Sequence, residues 1–150
     1  MVRRIQRRRV LWGGTLAVCF LAIGCGGRGD RPEMANVSGK LTLDGKPLPG
    51  YIVTFQPTSG RPSVSNMPTN AEGQYELWYT FKDKGAKVDK HKVTLAYSPI
   101  SDEEAMAAQS GNVSGSAKAV AEKYGTVTVT PLEFDVTENT TEANIDISLN

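Results

Sequence analysis

The stretch Val37-Ser38-Gly39-Lys40-Leu41-Thr42-Leu43-Asp44-Gly45-Lys46-Pro47-Leu48-Pro49-Gly50-Tyr51-Ile52-Val53-Thr54-Phe55 decides the fold. Val37, Gly39, Leu41 and Leu43 alternate with Ser38, Lys40, Thr42 and Asp44, the period-two pattern of a strand with one buried face. Asp44-Gly45 marks a tight turn. Tyr51 to Phe55, dense in β-branched and aromatic residues, reads as a second strand that Pro57 closes.

A second landmark follows at Thr69-Asn70-Ala71-Glu72-Gly73-Gln74-Tyr75. The first stretch looks like the rough pattern V-x-G-x-V-x-L-D-G-x-P-L-x-G-A-x-V-x-F, with Leu41 at its second Val and Tyr51 at its Ala, and the second is similar to T-D-x-x-G-x-Y. On these residues the chain from Val37 to about Leu149 resembles the carboxypeptidase regulatory-like (transthyretin-like) β-sandwich family. Its layout is similar to small lipoproteins of planctomycete-type bacteria. Asn70 replaces the usual Asp; Asn also fits a turn, and Gly73 keeps the left-handed position. The resemblance implies a fold and no particular function, because such folds host unrelated activities.

Downstream, Gln74 to Phe81 and Lys90 to Tyr97 read as strands, the latter with Val93, Leu95 and Tyr97 on one face. The segment from Lys82 to Lys90 reads as a charged connection. Ser101-Asp102-Glu103-Glu104 has the form of a capped helix start, with Ser at the N-cap and Glu three residues on. Gly111 to Ser116 is a Gly/Ser-rich loop, and Ala117 to Tyr124 a second short helical piece. Residues 100 to 127 are expected to be the least ordered part, an insertion in a long loop. Leu132, Phe134 and Val136 alternate again, Glu138 to Thr141 turns, and Ile145, Ile147 and Leu149 mark the last strand. The expectation is an all-β, about seven-stranded prealbumin/Ig-like two-sheet sandwich over residues 36–150, with a short helical insertion near 101–124.

Upstream the chain has a different character. Arg3, Arg4, Arg7, Arg8 and Arg9 make a positive n-region, Val10 to Ile23 is an uncharged apolar run, and small Gly24 precedes Cys25. This is the layout of a secretory signal, and the run of 14 residues is shorter than the ~20 that a spanning helix needs. Leu21-Ala22-Ile23-Gly24-Cys25 resembles a bacterial lipobox. That resemblance implies cleavage between Gly24 and Cys25 and lipidation of the Cys25 sulfur, so residues 1–24 form the signal peptide. Residues 25–35, led by Gly26-Gly27-Arg28-Gly29-Asp30-Arg31-Pro32, form a flexible tether. Cys19 leaves with the signal, so no disulfide is expected and the fold rests on its core.

Composition narrows the function classes. Five of the 17 basic residues lie in the n-region, leaving 12 Lys and Arg against 16 Asp and Glu. A mildly acidic domain lacks the basic footprint that nucleic-acid binding needs. Removal of the signal leaves 126 residues, one domain's worth.

Catalytic chemistry is not expected. The single histidine, His91, sits among lysines without a second His or free Cys for a zinc site and is read as an exposed strand-edge residue. The transthyretin fold includes a hydrolase that depends on several histidines and a C-terminal Tyr-Arg-Gly-Ser motif. Here the chain reads Ile147-Ser148-Leu149-Asn150, so that activity is not implied. Asp102, Glu103 and Glu104 favour the helix dipole rather than calcium. Lys40 and Asn144 are candidate partners, by strand order, for an isopeptide bond, but alternation turns Lys40 outward.

Trp78 and Tyr79 are the candidate ligand surface, because adjacent strand residues point to opposite faces and one ring must leave the core. For Trp78 the core placement takes precedence, since indole is commonly largely buried. The sequence therefore predicts a non-catalytic, lipid-anchored β-sandwich of the bacterial cell envelope, facing the periplasm or on the outer membrane. It would bind or scaffold an envelope protein or polysaccharide, with neither cofactor nor metal. A carbohydrate-binding accessory module is the alternative, decided by the exposure of Trp78; a small envelope enzyme comes third.

Overall fold

The computed structural model describes residues 32–149; Gly24, Cys25 and the apolar run before them lie outside the described residues. Ten strands and two helices are described, in the order β1 (Met34–Ala35), β2 (Ser38–Leu43), β3 (Lys46–Pro47), β4 (Tyr51–Pro57), β5 (Ser63–Ser65), β6 (Gln74–Trp78), β7 (Ala86–Lys87), β8 (Asp89–Tyr97), α1 (Asp102–Gln109), α2 (Gly115–Tyr124), β9 (Glu133–Val136) and β10 (Ile145–Ile147). Three two-residue pieces, β1, β3 and β7, account for the excess over seven strands. The others follow one hydrogen-bonded path, β10-β2-β6-β5-β4-β8-β9, with β3 on β2 and β1-β7 as a separate ribbon.

Turn chemistry sets the first half. Asp44 and Gly45 both have positive φ, 50° and 75°, the pairing that a tight hairpin of right-handed twist requires. They reverse the chain so that Thr42 faces Pro47 and Leu43 faces Lys46. At the second landmark Asn70 Oδ1 accepts from the backbone N–H groups of Glu72 (3.1 Å) and Gln74 (2.8 Å). Asn thus performs there the turn-closing role expected of Asp. The buried Thr69 hydroxyl donates to Leu48 O at 2.7 Å and accepts from Tyr51 N at 3.0 Å, fixing the start of β4.

The path curls on itself. Val37, Leu41, Tyr75, Leu77, Ile145 and Ile147 from one part share a single buried cluster with Tyr51, Val53, Phe55, Val93, Leu95 and Val136 from the other. Each large apolar side chain buried there contributes about 1.5–3 kcal/mol. Between the two parts, β5 turns only Ser63 and Ser65 inward. Their small volume lets the sheet close, and Ser65 Oγ accepts from Val53 N at 3.0 Å. The result is an all-β, sandwich-like fold.

Several expectations need correction. The strand from Gln74 ends at Trp78, not Phe81, because Tyr79 N donates to Asp83 O (2.9 Å) and the Thr80 hydroxyl closes a turn with Asp83. The charged connection contains β7, whose Ala86 is fully buried and pairs with Ala35 at the end of the predicted tether. The short helical insertion expected near 101–124 is present, as α1 and α2. Ser101 caps α1 by accepting from Glu104 N at 3.2 Å, while α2 buries Ala117, Val120 and Tyr124 in or against the core. Finally, His91 is not at an exposed edge. β8 lies between β4 and β9, and His91 points inward with Val93 and Leu95, only 2% exposed.

Candidate functional site

Alternation that buries Tyr75 and Leu77 sends Gln74, Glu76 and Trp78 to the outer face of β6. Register then assembles polar rows across three strands. Ser38 lies opposite Glu76, Lys40 opposite Gln74, and Asp146 of β10 opposite Thr42. Asn144 extends the Lys40 row, its Oδ1 accepting from Lys40 N at 3.0 Å. These rows floor a groove of about 920 Å³, walled on one side by Asn66, Met67 and Pro68 and on the other by Thr141 and Glu142.

The side chains in the groove are oriented by one another. Asn144 Nδ2 donates to Glu142 Oε1 (2.9 Å), Asn70 Nδ2 donates to Gln74 Oε1 (3.0 Å), and Thr42 Oγ1 donates to Asp146 Oδ1 (2.6 Å). The groove therefore presents carboxamides, carboxylates, hydroxyls and the Lys40 ammonium at strand spacing, with the exposed Met67 as an apolar contact. The floor is fixed from below. Tyr75 Oη donates to Ala143 O at 2.5 Å, and burial pushes this phenol far above its ordinary pKa, so it stays protonated as a donor.

Two of the groove carboxyls are held in their ionised form. The Lys84 ammonium hydrogen-bonded to Glu76 holds that carboxyl below its ordinary range. The Thr42 hydroxyl, helped by the Gly45 N–H, does the same for Asp146. Both acids are therefore ionised acceptors at neutral pH. General acid catalysis there requires the opposite, a carboxyl raised toward the working pH.

Trp78 is half-buried on the outer face and does not belong to the core cluster, which corrects the core placement. Parity explains it: Leu77 takes the inward position, so Trp78 cannot. Its Nε1–H donates to Glu76 Oε2 at 3.1 Å, and Lys84 Nζ stands 5.1 Å from its ring centre. Lys84 also reaches both Glu76 oxygens, at 2.9 and 3.1 Å. Tyr79, just past the strand, is half-buried beneath Arg61, whose guanidinium lies 5.3 Å from the ring centre. The two rings thus do not make one platform; Trp78 adjoins the groove through Glu76, and Tyr79 belongs to the turn beyond.

The other candidates resolve as follows. Lys40 and Asn144 are neighbours, as strand order predicts, but Asn144 meets the Lys40 backbone and both residues are exposed. Glu104 accepts from Ile100 N at 3.0 Å, a helix-start role. Among the described residues no three His, Cys, Asp or Glu side chains converge as metal ligands. His91 Nε2 lies 2.8 Å from Lys87 O, so this nitrogen carries the proton, and the ring packs 5.6 Å from that of Phe55. Asn66, Glu142 and Asp146 were not singled out from sequence. The polar parity of β6 was visible, but pairing β2 with a strand about 100 residues away was not.

Compared with protein-family models, curated proteins and solved structures, the chain matches none of them. The description of the site therefore rests on its geometry.

Proposed function

We propose that this protein is a non-catalytic, lipid-anchored binding module of the bacterial cell envelope, held by acyl chains on Cys25 and presenting the β2-β6-β10 groove to a partner. The carrying observation is the groove itself: about 920 Å³ of pre-oriented amides and ionised carboxylates on rigid strands. Such a surface offers directional hydrogen bonds without a group tuned for proton transfer. More than one acyl chain would make the anchoring stable, at about 0.8 kcal/mol per buried methylene. The two turn landmarks, Asp44-Gly45 and Thr69 to Tyr75, adopt the tight turns that membership of the carboxypeptidase regulatory-like family would require, and this supports that assignment.

A second reading, carbohydrate binding, is favoured by the outward placement of Trp78 beside the groove. Neutral sugars are recognised by amide and carboxylate hydrogen bonds to hydroxyls together with an aromatic face for the ring. Titration of isotope-labelled protein with soluble glucan and amino-sugar oligomers tests it by amide chemical shifts. The carbohydrate reading expects saturable shifts at Asn66, Gln74 and Asn144 that Gln74→Ala weakens. Shifts confined to other faces contradict the assignment of the groove, and a protein ligand on the same residues contradicts only the sugar.

A further inference from the structure

The turn after β6 projects an apolar ring into solvent and holds it there. Thr80 Oγ1 accepts from Lys82 N (3.2 Å) and Asp83 N (3.0 Å) and donates to Asp83 Oδ2 (2.8 Å). Tyr79 N donates to Asp83 O (2.9 Å), and Lys84 bridges back to Trp78. At the apex Phe81 is 84% exposed, the most exposed large apolar side chain among the described residues. Its ring meets the Lys82 ammonium at 5.1 Å, and Arg61 and Lys84 lie over Tyr79 and Trp78 just behind it. An apolar tip flanked by cations is the composition suited to a bilayer surface. Aromatic rings rest at headgroup level, while Lys and Arg stems lie along apolar surface with their charges in water.

The position of the turn supplies the second argument. Leu77 N donates to Val37 O (2.9 Å) and Gly85 N to Leu77 O (2.6 Å). The turn therefore leaves the sheet where β2 begins, beside the ribbon that pairs Met34 with Lys87. The chain reaches the described domain at this same end, with Val88 N donating to Glu33 O (2.8 Å). The seven residues between Cys25 and Glu33 let the chain span at most about 30 Å when fully extended. An acylated Cys25 would tether the domain to the bilayer from this end.

We propose that the 79–84 turn is a membrane-contact loop, seating Phe81 at the headgroup-acyl boundary of the bilayer that holds the acylated N-terminus. Asp83 is tied to Thr80 and Glu76 to Lys84, so the local charge is nearly balanced. The ring, more than net charge, supplies the contact, and the phospholipid phosphates pair with Lys82 and Arg61. One inserted ring is too weak to recruit a protein from solution. On a chain already tethered it sets orientation, and it directs the Gln74 end of the groove away from the bilayer.

This inference rests on the lipid anchor proposed above, and one experiment separates the two. Benzoylphenylalanine is placed at position 81, or at exposed Glu72 at the opposite end, in the full chain expressed in a bacterial host. Membranes are irradiated and the intact protein is weighed. The mass before irradiation reports acylation of Cys25 and so judges the anchor alone. Among acylated molecules, a phospholipid adduct at position 81 and its loss at position 72 is the expected result. Equal adducts at both positions, no lipid adduct at 81, or a protein adduct there in place of lipid overturns the membrane-contact loop.

Discussion

Tyr75 and Ala143, 68 residues apart in sequence, are joined by a buried hydrogen bond of 2.5 Å from the phenol to the backbone carbonyl. This contact lies where β6, β2 and the approach to β10 meet. Directly beside it, Gly39 lacks the Cβ that would fall 1.9 Å from the same carbonyl oxygen. The bond thus pins the last strand, which runs parallel to β2 with Ile145 against Leu41 and Ile147 against Leu43. Tyr75→Phe leaves the Ala143 carbonyl without its donor and is expected to cost about 1–3 kcal/mol. Urea unfolding should show a lower midpoint with an unchanged slope.

Two glycines on the same hairpin should respond very differently. Gly45, at φ +75°, has open space around it, so Gly45→Ala incurs only the left-handed strain of about 1–2 kcal/mol. Gly39→Ala must push two backbones apart and is expected to cost more than about 3 kcal/mol. Thermal melts of the pair check this; equal losses would contradict the close approach of Ala143.

His91 acts as a packing residue. It fills the core against Phe55 and ties itself to Lys87 O. Removal of the ring in His91→Ala opens a cavity and orphans that carbonyl, with an expected loss of about 2–4 kcal/mol. An exposed-edge histidine would lose less than about 0.5 kcal/mol, which denaturant titration readily distinguishes.

Stability should also fall on the alkaline side. Burial raises the Tyr75 and Tyr51 phenols above their ordinary values, Tyr75 most strongly. The unfolded chain loses these protons near pH 10 while the folded chain keeps them. The unfolded state then binds fewer protons, so stability is full below about pH 10 and declines as pH rises toward the folded values. Equilibrium unfolding between pH 8 and 11, chosen to bracket that window, should show the decline, with a shallower slope in Tyr75→Phe.

What was legible in the sequence was local. The Asp44-Gly45 turn, the Thr69 to Tyr75 turn and the Ser101 cap each depend on residues within a few positions of one another. Alternation also marked β2, β8, β9 and β10, and the density of β-branched and aromatic residues marked β4. His91 was missed because Lys90 and Lys92 dominate its surroundings, although the inward series of Val93 and Leu95 runs straight back through it. Trp78 was misplaced because size was weighed above parity. The groove depends on the parallel pairing of β10 with β2, a long-range register that no local pattern encodes.

The proposal depends on Cys25, because an acyl anchor there would set where the groove is presented. Intact mass spectrometry of the membrane-extracted protein, beside Cys25→Ala, is the most direct test. The account predicts a chain running from residue 25 to 150 that carries a diacylglyceryl group, and the loss of that species in the variant. An unmodified full-length chain in both samples would contradict it and leave Val10 to Ile23 as an ordinary membrane anchor.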